Sequence, residues 1–215
     1  GLIPVYLGIL AALFLGKVLP RTSAGGLIGV ANGVLVYLFF DLMHEATEQT
    51  GARDVTSWAV FLGSLGVSFV GLVALESSQV FGGRSGNRML SLPYMIAVGM
   101  GLHNLGEGLA IGASYASGEY TLSALLVAGF GLHNGTEGFG IVGAAGKTPM
   151  SWRDVFLLGL IAGLPTCVGT FLSGQGVSPY FSICFYALAA GSLLYVVLSL
   201  TVMSYTATRQ VQVAA

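Results

Sequence analysis

Charge is what this sequence has least of. Among 215 residues, eight are Lys or Arg and nine are Asp or Glu, 8% in all, whereas a soluble domain carries about a quarter. With 54% hydrophobic residues and a mean hydropathy of +0.83, that scarcity excludes a disordered chain, a nucleic-acid binder and an ordinary cytosolic enzyme. The net charge of -1 points to no partner. Cysteine is nearly absent too. Cys167 and Cys184 lie in apolar runs without a pairing pattern, read as small core residues, and carry no information about redox compartment. Apolar runs and glycine are in excess, and 33 glycines suit helices that pack closely in a membrane.

A helix needs about 20 apolar residues to cross the hydrocarbon core. By that measure residues 1–215 form a single transmembrane domain, an all-α polytopic membrane protein with seven visible helices over about 2–20, 24–48, 57–80, 92–117, 120–145, 153–174 and 179–206. The first run has no basic n-region or small-residue cleavage site, so it is not a signal peptide. The chain begins inside that run, as a trimmed or processed form would. Lys17, Arg21, Arg84, Arg88, Lys147, Arg153 and Arg209 all fall on one side of this layout and only Arg53 on the other. The positive-inside rule makes the crowded side cytoplasmic and the amino terminus external, in a cell membrane of bacterial or archaeal type. Trp58, Trp152, Tyr120 and Tyr180 stand near the interfaces, where aromatic belts form.

One polar segment occurs twice. Residues 99–108 read GMGLHNLGEG and residues 129–138 read GFGLHNGTEG. His103 and Glu107 are four apart, on one helix face, and His133 and Glu137 repeat the arrangement, with Asn104 and Asn134 beside them. Each copy lies near mid-span, and helices four and five are antiparallel neighbours, so the copies can face each other. An ionisable group at the centre of a membrane helix costs about 2.5–3.5 kcal/mol on insertion scales, and no Lys or Arg stands nearby to offset it. Bound metal, protons or buried water remain. Imidazole and oxygen ligands without thiolate suit Zn²⁺, Fe²⁺, Mn²⁺ or Cd²⁺ rather than Cu⁺. The bland reading, polar residues knitting two helices together, suits a lone histidine better than a duplicated pair. The glycines of each copy let backbones approach.

HNLGEGLAIG at 103–112 resembles the fourth-helix signature HNxPEGxAIG of the ZIP (Zrt/Irt-like) family of divalent-metal transporters, and HNGTEG at 133–138 resembles its fifth-helix motif. GVLVYLFFDLMHEATE at 33–48 and ALAAGSLLYVV at 187–197 resemble its second and seventh helices. The resemblance implies an eight-helix transporter with both termini outside and a binuclear centre between helices four and five. Position by position it implies His103, Glu107, His133 and Glu137 at the first metal, Asn104 and Asn134 at the second, and the two glutamates bridging. The motif proline is Gly106 in one copy and Thr136 in the other, and Leu164 precedes Pro165 where the family often has a glutamate ligand. That weakens the second metal site. No eighth helix is visible after Arg209, and residues 81–90 contain no histidine.

Asp41, His44, Glu45 and Glu48 gather at the carboxyl end of helix two. Acids at a pore mouth concentrate cations, so Asp41, His44 and Glu45 are entrance candidates, Asp41 and His44 foremost, with Glu48 a bystander. Glu76, near the inner end of helix three, is an exit candidate. Glu119 and Asp154 carry no functional case. Pro165 is expected to kink helix six, with nearby Ser or Thr satisfying the freed carbonyls. These residues describe transport of a divalent transition metal, Zn²⁺ first, into the cytoplasm, by a protein that is not an enzyme and needs no cofactor beyond the ion it carries. A zinc-dependent seven-helix membrane hydrolase and a metal-free proton channel or antiporter are the alternatives; duplication argues against the hydrolase. Glycine-rich helix surfaces allow a homodimer in the lipid bilayer.

Overall fold

Apolar runs broken by short polar connections become seven α-helices among the described residues: α1 (Leu2–Val18), α2 (Arg21–Thr50), α3 (Val55–Ser77), α4 (Ser91–Ala116), α5 (Tyr120–Ala145), α6 (Trp152–Ser173) and α7 (Pro179–Ala214). The structure, a computed structural model, describes residues 1–18, 21–51, 55–78, 90–145, 148–173 and 178–214, with backbone alone for 21–28, 31, 179 and 206–214. Arg53, Arg84, Arg88 and Lys147 lie outside the described residues, as do the connections at 52–54 and 82–88, so half of the basic residues that set the expected orientation have no described position.

Helix α4 is the hub. It packs on α5, α6 and α7 and touches α3. Helices α1, α5 and α6 gather on one side of it, while α2 and α3 lean on α7 at the other. The α4–α6 seam is backbone on backbone. A Cβ added to Gly108 would run into the carbonyl oxygen of Thr166, and one on Gly112 into that of Thr170. Gly169 answers from α6 against the carbonyl of Leu105. Helix α1 meets α5 in the same way, with Gly8 against Gly135 and Gly138 against the backbone of Gly8 and Ile9. The packing role expected of the motif glycines therefore holds for Gly101, Gly108 and Gly138, whereas Gly129 faces open space.

The chain is an all-α membrane protein. Large apolar side chains point outward all round the bundle, among them Ile3, Phe14, Leu62, Leu125, Phe156 and Phe171, each at least 57% exposed. Water does not tolerate such a continuous surface and lipid does. Among the described residues, Val55–Ser77, Trp152–Ser173 and Tyr180–Tyr205 are long and apolar enough to cross a membrane by length and composition; Leu2–Val18 is apolar but shorter. Helices α4 and α5, 26 residues each, have the length, about 39 Å at 1.5 Å per residue, but the polar residues of the repeated motif lower their hydropathy. Those residues face inward, so the lipid does not meet them.

Three expectations change. Cys167 is exposed, on the outward face that also carries Leu164, Val168 and Phe171, so it is no core residue. Cys184 is half-buried and accepts from the Ser64 hydroxyl at 3.3 Å, joining α3 to α7. Helix α7 runs on past residue 206, so Arg209 lies within the helix rather than after it.

Candidate metal centre

The two copies of the motif sit near the midpoints of α4 and α5, whose only link is the turn at 117–119 with Gly118 at φ 81°. Both helices run unbroken through the motif, as the loss of its prolines to Gly106 and Thr136 permits. The tight turn sets the helices antiparallel, and the two His-Asn-x-x-Glu faces meet in the interior. His103, Asn104, Glu107, Asn134 and Glu137 are no more than 2% exposed; His133 is slightly more open.

One ligand atom from each of His103, Glu107, His133 and Glu137 falls within 4.8 Å of all the others. The Oε1 of Glu107 stands between the two imidazoles, 3.0 Å from Nε2 of His103 and in contact with Nε2 of His133. The Oε1 of Glu137 lies 3.6 Å from Nε2 of His103. Phe130 packs edge-on against the His133 ring at 5.5 Å and limits its rotation. The Nδ1 of His103 and the Oε1 of Glu137 are buried without a hydrogen-bond partner. Unpaired polar atoms at this depth each cost about 1–3 kcal/mol, and two imidazole nitrogens converging with two carboxylate oxygens match the ligand set of a tetrahedral Zn²⁺.

The asparagines cross. The amide of Asn104 on α4 donates to Oε2 of Glu137 on α5 at 2.9 Å, and the amide of Asn134 on α5 donates to Oε2 of Glu107 on α4 at 3.0 Å. The other amide hydrogen of Asn104 goes to the carbonyl of Ala162, three residues before Pro165, at 2.9 Å. Asn104 on α4 thus ties α6 to the centre one turn before Pro165.

A cavity of about 480 Å³ leads from His103 and Glu107 to one end of the bundle. Its walls are the carboxyl-terminal halves of α2 and α4 and the amino-terminal halves of α5 and α7, with Asp41, Glu45, Gln49 and Glu119 toward the mouth. Beyond the cluster in the other direction, Met95, Ile96, Met100, Ile141 and Leu200 are fully buried and fill the interior. Among the described residues, these side chains separate the cluster from the other end of the bundle.

Of the entrance candidates, Asp41 and Glu45 line this cavity. His44 does not; it stands on the exposed side of α2, 3.4 Å from Glu48. The α2 helix turns about 100° per residue, so neighbours of a cavity-facing acid point elsewhere. Glu119, set aside in the sequence, is on the cavity wall. The signal was available: a connection between α4 and α5 must emerge at the end where α2 finishes. Glu76 lies at the opposite end, in a separate cavity of about 510 Å³ with Phe69, Tyr195 and Met203, and no residue of the central cluster lines that space.

No protein-family model matches the chain. Human zinc transporter ZIP4 is 34% identical to it over 131 residues, which cover 59% of this chain and 20% of that protein. The chain thus matches about a fifth of the length of this curated relative.

Proposed function

We propose that the chain is a member of the ZIP family and passes a divalent transition-metal ion, Zn²⁺ foremost, across a cell membrane into the cytoplasm. The observation that carries this is the buried cluster of His103, Glu107, His133 and Glu137 at the closed end of a cavity whose mouth carries Asp41, Glu45 and Glu119. Similarity to a protein named as a zinc transporter supports the same reading. The amino terminus is external, which makes the cavity the outward-facing vestibule. Acids at its mouth raise the local cation concentration. A dehydrating ion then exchanges water for imidazole and carboxylate at the cluster, where the protein supplies the ligands that lipid cannot. Release occurs at the cytoplasmic end, where Glu76 is the exit candidate. Cd²⁺, Fe²⁺ and Mn²⁺ suit the same nitrogen and oxygen donors. The protein acts as a carrier or channel, not an enzyme, and its glycine-bearing outer faces admit a homodimer.

Metal uptake by proteoliposomes tests this. Wild-type protein should accumulate zinc, and the Glu107→Ala and His133→Ala variants should not. Equal flux from all three would refute the assignment.

A further inference from the structure

We infer that Pro165, on α6, is a positioning residue for the central cluster: the break it makes in α6 offers α4 two backbone carbonyls, and these fix Asn104. The inference rests on the transport-site reading above and deepens it.

Proline has no N–H, so the carbonyl four residues earlier, that of Ile161, loses its partner in the helix ladder. In lipid such a carbonyl needs another contact. The nearby hydroxyls do not give one. Thr166 Oγ1 is buried without a partner, and Thr170 donates to the carbonyl of Thr166. The contact comes from α4 instead. The Ile161 carbonyl oxygen seats on Gly101 so closely that a Cβ there would overlap it, and the Pro165 ring flanks the same glycine. That is the arrangement of a weak Cα–H···O bond.

A helix bends at an internal proline, and the next carbonyl at the bend, that of Ala162, also faces α4. One turn after Gly101, the amide of Asn104 donates to it at 2.9 Å and spends its other hydrogen on Oε2 of Glu137, also at 2.9 Å. Two fixed hydrogens fix the plane of the amide. They fix its oxygen as well, which is buried without a partner and has lone pairs to offer an ion. Pro165 thus acts on the cluster through the α6 backbone and Asn104, as outer groups orient the ligands of metals generally.

Zinc binding by the full chain in lipid nanodiscs tests this. Pro165→Ala restores the N–H, so the Ile161 carbonyl returns to the ladder and the α6 carbonyls withdraw from α4. Zinc affinity should fall about 10- to 100-fold, the range for loss of an outer partner. The thermal midpoint should hold or rise, because alanine suits a helix interior better than proline. In an Asn104→Ala background the same change should cost no further affinity, since both break one link. Pro165→Gly, which also restores the N–H, replaces the alanine variant should that fail to fold. Pro165 variants that bind zinc as tightly as wild type, or whose losses add to that of Asn104→Ala, would overturn the inference while leaving transport intact. So would a midpoint that falls in step with affinity, which is what packing alone predicts. A wild type that binds no zinc would overturn the transport reading and this one with it.

Discussion

The side-chain amide of Asn104 lies 2.9 Å from Oε2 of Glu137, and its mirror image, Asn134 to Glu107, closes at 3.0 Å. Each copy of the motif holds the glutamate of the other. These bonds do two things at once. They fix the register of α4 against α5, since a shift of one turn would break both, and they aim the carboxylates at the histidines. A duplicated motif is useful here because the partner of each glutamate lies on the other helix.

The two glutamates are not equivalent, which makes a prediction about relative damage. Oε1 of Glu107 contacts both imidazoles, whereas Oε1 of Glu137 approaches only that of His103, at 3.6 Å. Glu107→Gln should therefore cost more than Glu137→Gln. Loss of an outer partner alone costs about 10- to 100-fold in metal affinity, and Glu107→Gln should exceed that range. Isothermal titration with zinc checks the order; equal losses would contradict it.

At the mouth, charge governs how readily an ion is captured rather than how tightly the centre holds it. Glu45→Gln and Glu119→Gln remove charge from the cavity that leads to the cluster. They should raise the zinc concentration needed for half-maximal uptake, leave the maximal rate nearly unchanged, and flatten its dependence on ionic strength. His44→Ala is the control. His44 is exposed and pairs with Glu48 away from the cavity, and an exposed pair is worth about 0–1 kcal/mol. Uptake by this variant should match wild type, and a large loss would mean that the metal path runs along the other face of α2.

Much of this was legible in the sequence, for physical reasons. The motif stands out because a membrane helix admits polar residues only where something compensates them, so His103 and Glu107 mark a candidate site by being there at all. Helix positions followed from apolar run length. What the sequence hid depends on rotation about helix axes and on which helices touch. Asp41 and Glu45 face the cavity while His44, between them, does not. Cys167 sits in an apolar run but on its outward face, and in a membrane protein that pattern does not distinguish lipid from core. A loop acid such as Glu119 is usually solvated, and only the assembled bundle puts it beside the cavity.

Acidification should weaken zinc binding. On the proposed reading the ion is held by neutral imidazole and ionised carboxylate, and a free histidine titrates near pH 6.5. Protons compete for the same atoms, so lowering the pH from 7.5 to about 5.5 should reduce affinity, and binding at the lower pH should release protons. Titration calorimetry in buffers of different ionisation enthalpy measures that release directly. Affinity that rises on acidification would be incompatible with His103 and His133 as ligands.

Packing and chemistry can be separated at the motif glycines. Gly108 belongs to the motif but offers no side-chain atom to an ion; its place is the α4–α6 seam, where a Cβ would meet the backbone oxygen of Thr166. Backbone does not rotate away as a side chain can, so Gly108→Val must push the two helices apart. Overpacking of this kind typically costs about 1–3 kcal/mol, and thermal unfolding in detergent should show it as a lower midpoint. The same displacement moves Asn104 away from the Ala162 carbonyl it holds at 2.9 Å, so zinc affinity should fall together with stability. Gly129→Ala, by contrast, places its methyl in open space and should alter neither. If Gly108→Val left both the unfolding midpoint and zinc affinity unchanged, the close α4–α6 contact would not support the site.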